Sequence, residues 1–259
     1  MKRWSLQDAR ERTEKLRTLI ADYRYHYHVL DESTMSEAAA DSLKHELAEL
    51  EAQFPELVTP DSPTQRVAGE PLPGFEQVRH RSRMLSLNDV FSREEVAAWI
   101  ERMQKLAPNA RPEFFIDVKL DGLACALWYE DGKFVRAVTR GDGFVGEDVT
   151  TNVRTIESVP FDLRETPGFE HFLRGSSEIR GEIIIYKKDF EALNQEREAA
   201  GQPVFANPRN LAAGSIRQLD PKLAAARPLR FRAWDILRTN PSEVATNAYA
   251  YETIRALGI

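Results

Sequence analysis

The chain of 259 residues holds one cysteine, Cys125. A single thiol excludes an intramolecular disulfide and a cysteine-based zinc site. No apolar run approaches the roughly 18 residues that a membrane span requires. Met1-Lys2-Arg3-Trp4-Ser5-Leu6-Gln7-Asp8 carries no apolar signal-peptide core. The expected compartment is the cytosol, with no membrane partner. Internal repeats and low-complexity tracts are absent. Net positive charge is absent too: the formal balance is −6, so the chain is not a generic basic nucleic-acid binder. What remains is ordinary globular composition, 42% hydrophobic and 29% charged. The length suits one large domain or a small module plus a medium one.

Charge is segregated along the chain. Asp31 to Asp61 holds nine acidic residues and one lysine, whereas Arg209 to Arg232 holds six basic residues and one aspartate. An acidic module near the start and a basic face near the end follow, unless both are simply solvated surfaces. Leu16, Ile20, Tyr23 and Tyr27 recur at helical spacing. Ser36 would cap a second helix striped by Ala39, Leu43, Leu47, Leu50 and Phe54. Pro55 and Pro60-Asp61-Ser62-Pro63 would end it and open a linker running through Pro71-Leu72-Pro73 to about Gly74. This divides the chain into a helical module with its linker, 1–74, and a mixed α and β domain, 75–259.

In the second part Ser92-Arg93-Glu94-Glu95 is a capping box for a helix carrying Val96, Trp99, Ile100, Met103 and Leu106. Phe114 to Leu120 reads as a strand. Leu123, Cys125, Leu127 and Tyr129 alternate as another, and Asp131-Gly132 turns it back through Phe134 to Arg140. Glu178 to Ile185 and Leu229 to Ile236 are further strands. Helices are expected from about Lys188 to Ala199 and from Asn247 to Leu257.

Asp117-Val118-Lys119-Leu120-Asp121-Gly122 lies where one expected strand turns into the next. A strand would hold the lysine rigidly, and Gly122 would let the backbone turn tightly beside a bound group. Lysine attacks only as the free amine, so nearby cations must favour the neutral form. Asp117 and Asp121 oppose that unless they are engaged elsewhere, on a ribose hydroxyl or a metal. Taken alone, Lys-x-Asp-Gly is four residues with one wildcard, and a hairpin bearing a surface lysine explains it too.

Its company is more specific. Thr139-Arg140-Gly141-Asp142-Gly143, Gly146-Glu147-Asp148-Val149 and Asn152-Val153-Arg154-Thr155-Ile156 follow it. Then come Glu178-Ile179-Arg180-Gly181-Glu182 and Phe205-Ala206-Asn207-Pro208-Arg209-Asn210, continuing to Arg217-Gln218-Leu219-Asp220. Upstream lie Tyr27-His28-Val29-Leu30-Asp31, Thr59 to Val67, and Met84-Leu85-Ser86-Leu87. With Lys119-Leu120-Asp121-Gly122-Leu123-Ala124, this set resembles the NAD-dependent DNA ligases of bacteria, over essentially the whole chain.

The resemblance implies a nucleotidyltransferase fold, ATP-grasp-like, in an α+β chain with a small helical module in front. It also implies a first step in which AMP passes from NAD to a lysine, here Lys119, releasing nicotinamide mononucleotide. Arg140 and Glu182 would contact the adenylate, and Ser86 and Leu87 would lie against adenosine. Trp234 falls where the family places an aromatic residue against adenine, although a tryptophan in a strand is as readily core. Arg209 and Arg217 would serve phosphates of NAD or DNA, or form structural ion pairs. Tyr27 and His28 match a pair that holds the nicotinamide half, with Glu37 and Asp41 as acidic neighbours suited to a cationic ring. Magnesium is expected on the phosphates, and nicked double-stranded DNA as the partner of a complete enzyme.

Three departures bear on chemistry. Where the family reads Asp-Ala-Glu-Tyr-Asp, this chain reads Glu37-Ala38-Ala39-Ala40-Asp41. Losing one aromatic contact to a cation costs on the order of 0.5–2 kcal/mol, so NAD affinity should be weaker. Asp117 replaces the usual glutamate, and a tenfold rate loss would need only about 1.4 kcal/mol. Asp235 stands where glycine is common and would crowd an adenylate phosphate. Further family motifs, with the zinc finger and later domains, are expected beyond Ile259, so the fold should be incomplete and unable to seal nicks alone. The departures keep open a divergent paralogue that binds NAD or DNA with weakened or lost adenylation. An ATP-using ligase relative is disfavoured by the Tyr27-His28 module.

Overall fold

The computed structural model describes residues 4–27, 32, 34–59, 61–66, 74–88, 90–111 and 113–259. Its first element, α1 (Leu6–Tyr25), begins at Ser5, whose hydroxyl accepts the Asp8 amide at 3.1 Å. α2 (Glu37–Gln53) begins in the same way at Ser36, which accepts from the Ala39 amide at 3.2 Å. Leu16 and Ile20 of α1 meet Leu47 and Leu50 of α2 in a small shared core. The α2 stripe starts at Ala40, which is buried, and not at Ala39, which is exposed. Positions 40, 43, 47, 50 and 54 step by three and four, which keeps one helical face better than a start at 39.

The expected linker is partly a built structure. Pro55–Leu57 and Pro63–Arg66 form single 3₁₀ turns. Glu51 on α2 fixes them: its buried carboxylate accepts from Arg17 at 2.7 Å, from Ser62 at 2.7 Å and from the Thr64 hydroxyl. A polar residue thereby closes over the helices where proline suggested an open tether. Pro71-Leu72-Pro73 lies outside the described residues.

After this module come β1 (Gln77–Arg79), α3 (Arg93–Leu106), β2 (Leu123–Glu130), β3 (Lys133–Thr139), β4 (Val145–Glu147) and a single turn α4 (Thr150–Val153). β5 (Ser176–Ile184), α5 (Lys187–Ala199), α6 (Pro208–Ile216), α7 (Pro221–Ala225), β6 (Arg230–Arg238) and α8 (Asn247–Ala256) complete it. Four strands make an antiparallel sheet in the order β3-β2-β5-β6, and β1 pairs with β4. Asp131 (φ 48°) and Gly132 (φ 75°) both take left-handed backbone, the requirement of a tight type I′ hairpin.

One sheet face carries Cys125, Leu127, Tyr129, Ile179, Ile183, Phe231 and Ile236. It packs on α4, α6 and α8 to form the main core. The other face carries Ala126, Trp128 and Val138, covered by Val78 and Met84. Covering both faces explains why β2 is buried continuously from Cys125 to Tyr129.

Two expectations change. Residues 113–120 form no strand, and Ile116 and Val118 are 90% and 75% exposed. A strand exists only where a neighbour supplies the ladder, and none of the described strands flanks this segment. α3 forms as its capping box requires, yet none of its residues is buried. Trp99 instead meets Phe114 of that segment at 5.8 Å.

The module rests on the far side of the main core through polar contacts. Arg24 donates to the Val159 carbonyl at 3.2 Å, Lys133 bridges Asp61 and Asp162, and Arg164 lies over the Tyr25 ring. A cavity of about 550 Å³ between them is lined by Arg17, Asp22, Tyr25, Asp61, Phe161 and Arg164 among others, with no residue of the Lys119 region.

Candidate active site

Lys119 is exposed near the end of the 113–120 segment. Three contacts fix what surrounds it. Phe115 packs on the Tyr251 ring of α8 at 5.0 Å, and the Tyr251 hydroxyl donates to the Asp117 carboxylate. Asp121 accepts from Arg209 on α6 at 3.0 Å. Gly122 then presses on β5, where a Cβ would stand 2.3 Å from the Ile183 carbonyl oxygen. Glycine is required there by close approach, since Gly122 is not among the glycines with positive φ. Both carboxylates flanking Lys119 thus have partners of their own.

Register brings the next group in. Ala124 on β2 is paired with Glu182 on β5. Glu182 is partly buried, and one of its carboxylate oxygens has no hydrogen-bond partner. Burial pushes the Glu182 acid above the ordinary carboxylate range, while Arg209, Lys119 and Arg140 pull it back. Those three cations therefore lie within electrostatic reach of one under-satisfied carboxylate, with Asp121 opposing them. Arg140 leaves β3 with its amide bonded to the Ala124 carbonyl at 2.9 Å. The following turn is held by Asp142, whose carboxylate accepts the Phe144 and Val145 amides at 2.8 Å each. The Gly143 carbonyl in turn accepts the Met84 amide at 2.9 Å. Just past Met84, Leu85 and Leu87 are 68% and 77% exposed, and Ser86 is exposed with them.

Trp234 stands at a bulge in β6, where Arg180 pairs with Asp235 and Gly181 with Ala233. The extra residue leaves Trp234 partly exposed and out of the main core, the re-aiming that bulges perform. Asp235 faces Arg180 and Glu178, and burial pushes its acid above the ordinary carboxylate range, against the hydrogen bond from the Ile236 backbone and the pull of Arg180. Arg217 bonds Glu147 on β4 at 2.8 Å, apart from the Asp121–Arg209 pair. Arg209 and Arg217 are each 52% exposed, and such pairs are worth little and exchange readily.

Lys119, Asp121, Arg140, Glu182 and Arg209 are therefore brought together, with Ser86 and Leu87 on the adjoining loop. The candidates of the acidic module have other neighbours. Tyr27 stacks on Tyr23 at 5.6 Å, and Asp41 is exposed beside Lys44 at 3.9 Å. His28 and the side chain of Glu37 lie outside the described residues. Sequence reasoning assigned nothing to Tyr251, Glu178 or Arg180. The last two were visible as charges alternating with Ile179, Gly181 and Ile183, which in a central strand forces buried charges to find partners.

Comparison with known proteins shows which family the chain resembles. Residues 72–259 match the model of the NAD-dependent DNA ligase adenylation domain. Residues 6–68 match that of the DNA ligase-like, N-terminal NAD+-binding domain. A DNA ligase of Thermomicrobium roseum is 51% identical over 253 residues, 97% of this chain and 36% of its own length. One of Chloroflexus aggregans is 47% identical over 256 residues, 96% and 37%. One of Acinetobacter baumannii strain AYE is 46% identical over 239 residues, 92% and 35%. The chain thus spans about a third of the length of these relatives.

Proposed function

The chain belongs to the NAD-dependent DNA ligase family, with that family's NAD+-binding and adenylation domains, and on that premise we propose that Lys119 takes AMP from NAD. The free amine of Lys119 attacks the adenylate phosphorus. An N–P bond forms, the pyrophosphate P–O bond breaks, nicotinamide mononucleotide leaves, and the amine proton passes to solvent. In the whole protein AMP then moves to a 5′-phosphate at a DNA nick, the step that serves replication and repair. We place the domain boundary near residue 74 and the reaction in the cytoplasm.

The observation that carries this reading is the lone Glu182 oxygen amid Lys119, Arg140 and Arg209. A carboxylate left without a donor suits a ribose hydroxyl, and arginine forks suit phosphate oxygens. Ser86, Leu87 and Trp234 supply apolar and stacking surface for adenosine. Asp117, Arg217, Tyr27, His28, Glu37 and Asp41 complete the proposed NAD contacts. Among the described residues no group of three or more His, Cys, Asp or Glu is arranged to hold a metal ion. Magnesium would sit on the dinucleotide phosphates, where it neutralises charge. The basic residues from Arg209 to Arg232 would face the DNA backbone.

A second reading, a paralogue with weakened adenylation, draws on two observations. Ala40, where the family has tyrosine, is a buried stripe position, and Asp117 is engaged by Tyr251. Intact mass after incubation with NAD and magnesium separates the two. A gain of one AMP, absent in Lys119→Ala, supports the first reading. NAD binding by calorimetry with no adduct supports the second, and an adduct only from ATP refutes both.

A further inference from the structure

Arg180 sits in the middle of β5 at 5% exposure, yet nothing in the proposed chemistry uses it. Each side of its guanidinium is spoken for. Nε donates to Glu178 at 2.7 Å, Nη1 to the Arg83 carbonyl at 3.1 Å and Nη2 to the Ser82 carbonyl at 2.7 Å. Its neighbour on β2 is Ala126, small enough to leave room for the planar fork. Glu178 is equally buried, so the pair is a poor stability device: two desolvated charges roughly cancel their own attraction. What the fork does supply is geometry, because a rigid planar donor set holds two successive carbonyls in one place.

Those carbonyls begin the loop that continues through Met84 to Ser86 and Leu87. The Met84 amide is tied separately to the Gly143 carbonyl, and beyond it the chain is exposed. The loop therefore hangs from two anchors, the Arg180 fork and the Gly143 turn.

We propose that Arg180 is a positioning residue that sets the height of Ser86 and Leu87 over the sheet, and through them the affinity for the adenosine half of NAD. This rests on the reading that Ser86 and Leu87 border adenosine. Arg180 touches no nucleotide itself.

The test uses the full chain. Arg180→Met keeps bulk and removes the fork. Arg180→Lys keeps charge but offers no planar pair. Arg180→Met with Glu178→Gln avoids stranding a buried carboxylate, and serves if the single variant folds poorly. Calorimetric NAD affinity and hydrogen exchange at residues 82–87 are read in each. The methionine variants should bind NAD about tenfold more weakly, a range reached by small misplacements, with faster exchange at 82–87 and unchanged exchange in β5. Arg180→Lys should fall between them and the parent. Unchanged NAD affinity despite faster exchange overturns the proposal, as does lost affinity with exchange raised throughout the sheet. Leu87→Ala distinguishes the underlying reading: if it leaves NAD affinity unchanged, the adenosine assignment itself fails, whatever Arg180 does.

Discussion

Replacing Gly122 with alanine should damage stability and chemistry together. The added Cβ would stand 2.3 Å from the Ile183 carbonyl oxygen and 2.7 Å from Cγ2 of Ile184. The first obstacle is backbone, and it cannot swing aside, because Leu123 is paired with Ile183 in the ladder. The turn must move instead, by about 1 Å to restore ordinary contact. Overpacking of this kind costs about 1–3 kcal/mol. At roughly 2–4 °C per kcal/mol for a chain of this size, Tm should fall by about 2–12 °C. The same movement displaces Asp121 and Lys119, and with them the Asp121–Arg209 contact beside Glu182. A misplacement of about 1 Å in a reacting group can cost on the order of 100-fold in rate. Thermal melting together with a time course of AMP attachment by intact mass measures both. A Gly122→Ala protein that melts and labels like its parent refutes the argument.

Three further outcomes follow from other groups. Glu51→Ala removes the acceptor shared by Arg17, Ser62 and Thr64, and leaves a largely buried arginine without its counter-charge. Losing one partner of such a pair costs about 3–5 kcal/mol, so circular dichroism should show the helical module melting earlier than the sheet domain. Cys125 is fully buried and burial pushes its thiol well above the ordinary value, so a thiol reagent should react only after unfolding. Burial alone would push the Asp61 acid above the ordinary carboxylate range, but hydrogen bonds from Thr59 and Lys133 outweigh it and hold Asp61 below that range. A depressed carboxylate stabilises the fold above its unfolded value, about 3.9, and the effect fades as pH falls. Asp61→Asn should therefore lower Tm at pH 7, with the gap closing as the buffer is taken below about pH 4.

Local signals were legible wherever the local chain decides. Ser36 and Ser92 cap their helices, Asp131-Gly132 turns its hairpin, and the isoleucine-dense β5 forms as expected. Residues 113–120 have the right composition for a strand, but a ladder depends on a neighbour that composition does not encode. α6 and α7 went unread although Asn207-Pro208 and Asp220-Pro221 each place a capping side chain before a proline in the first turn. Their apolar stripes are too short to show a period. In the site, Lys119, Arg140, Glu182 and Arg209 come from motifs, so their gathering was expected. Tyr251 was invisible because its contact with Asp117 spans 134 residues of chain.

Glu178, Arg180 and Glu182 share one face of β5, and the strand itself treats them alike. Their cross-strand neighbours and the covering loop separate them. Glu178 lies opposite Trp128 and Arg180 opposite Ala126, under the cover of residues 82–84. Glu182 lies opposite Ala124, which is only partly buried, whereas Ala126 is fully buried. The candidate site is thus the end of a sheet face where the cover stops, with an alanine leaving space above the uncommitted carboxylate. Filling that space tests the idea. Ala124→Val adds two methyls on a strand that suits β-branched residues, so Tm should change by less than about 3 °C. The same methyls would occupy the opening beside Glu182, and calorimetric NAD affinity should fall at least about tenfold. A variant that binds NAD as the parent does would show that the nucleotide does not enter over Ala124, and the role assigned to Glu182 would fall with it.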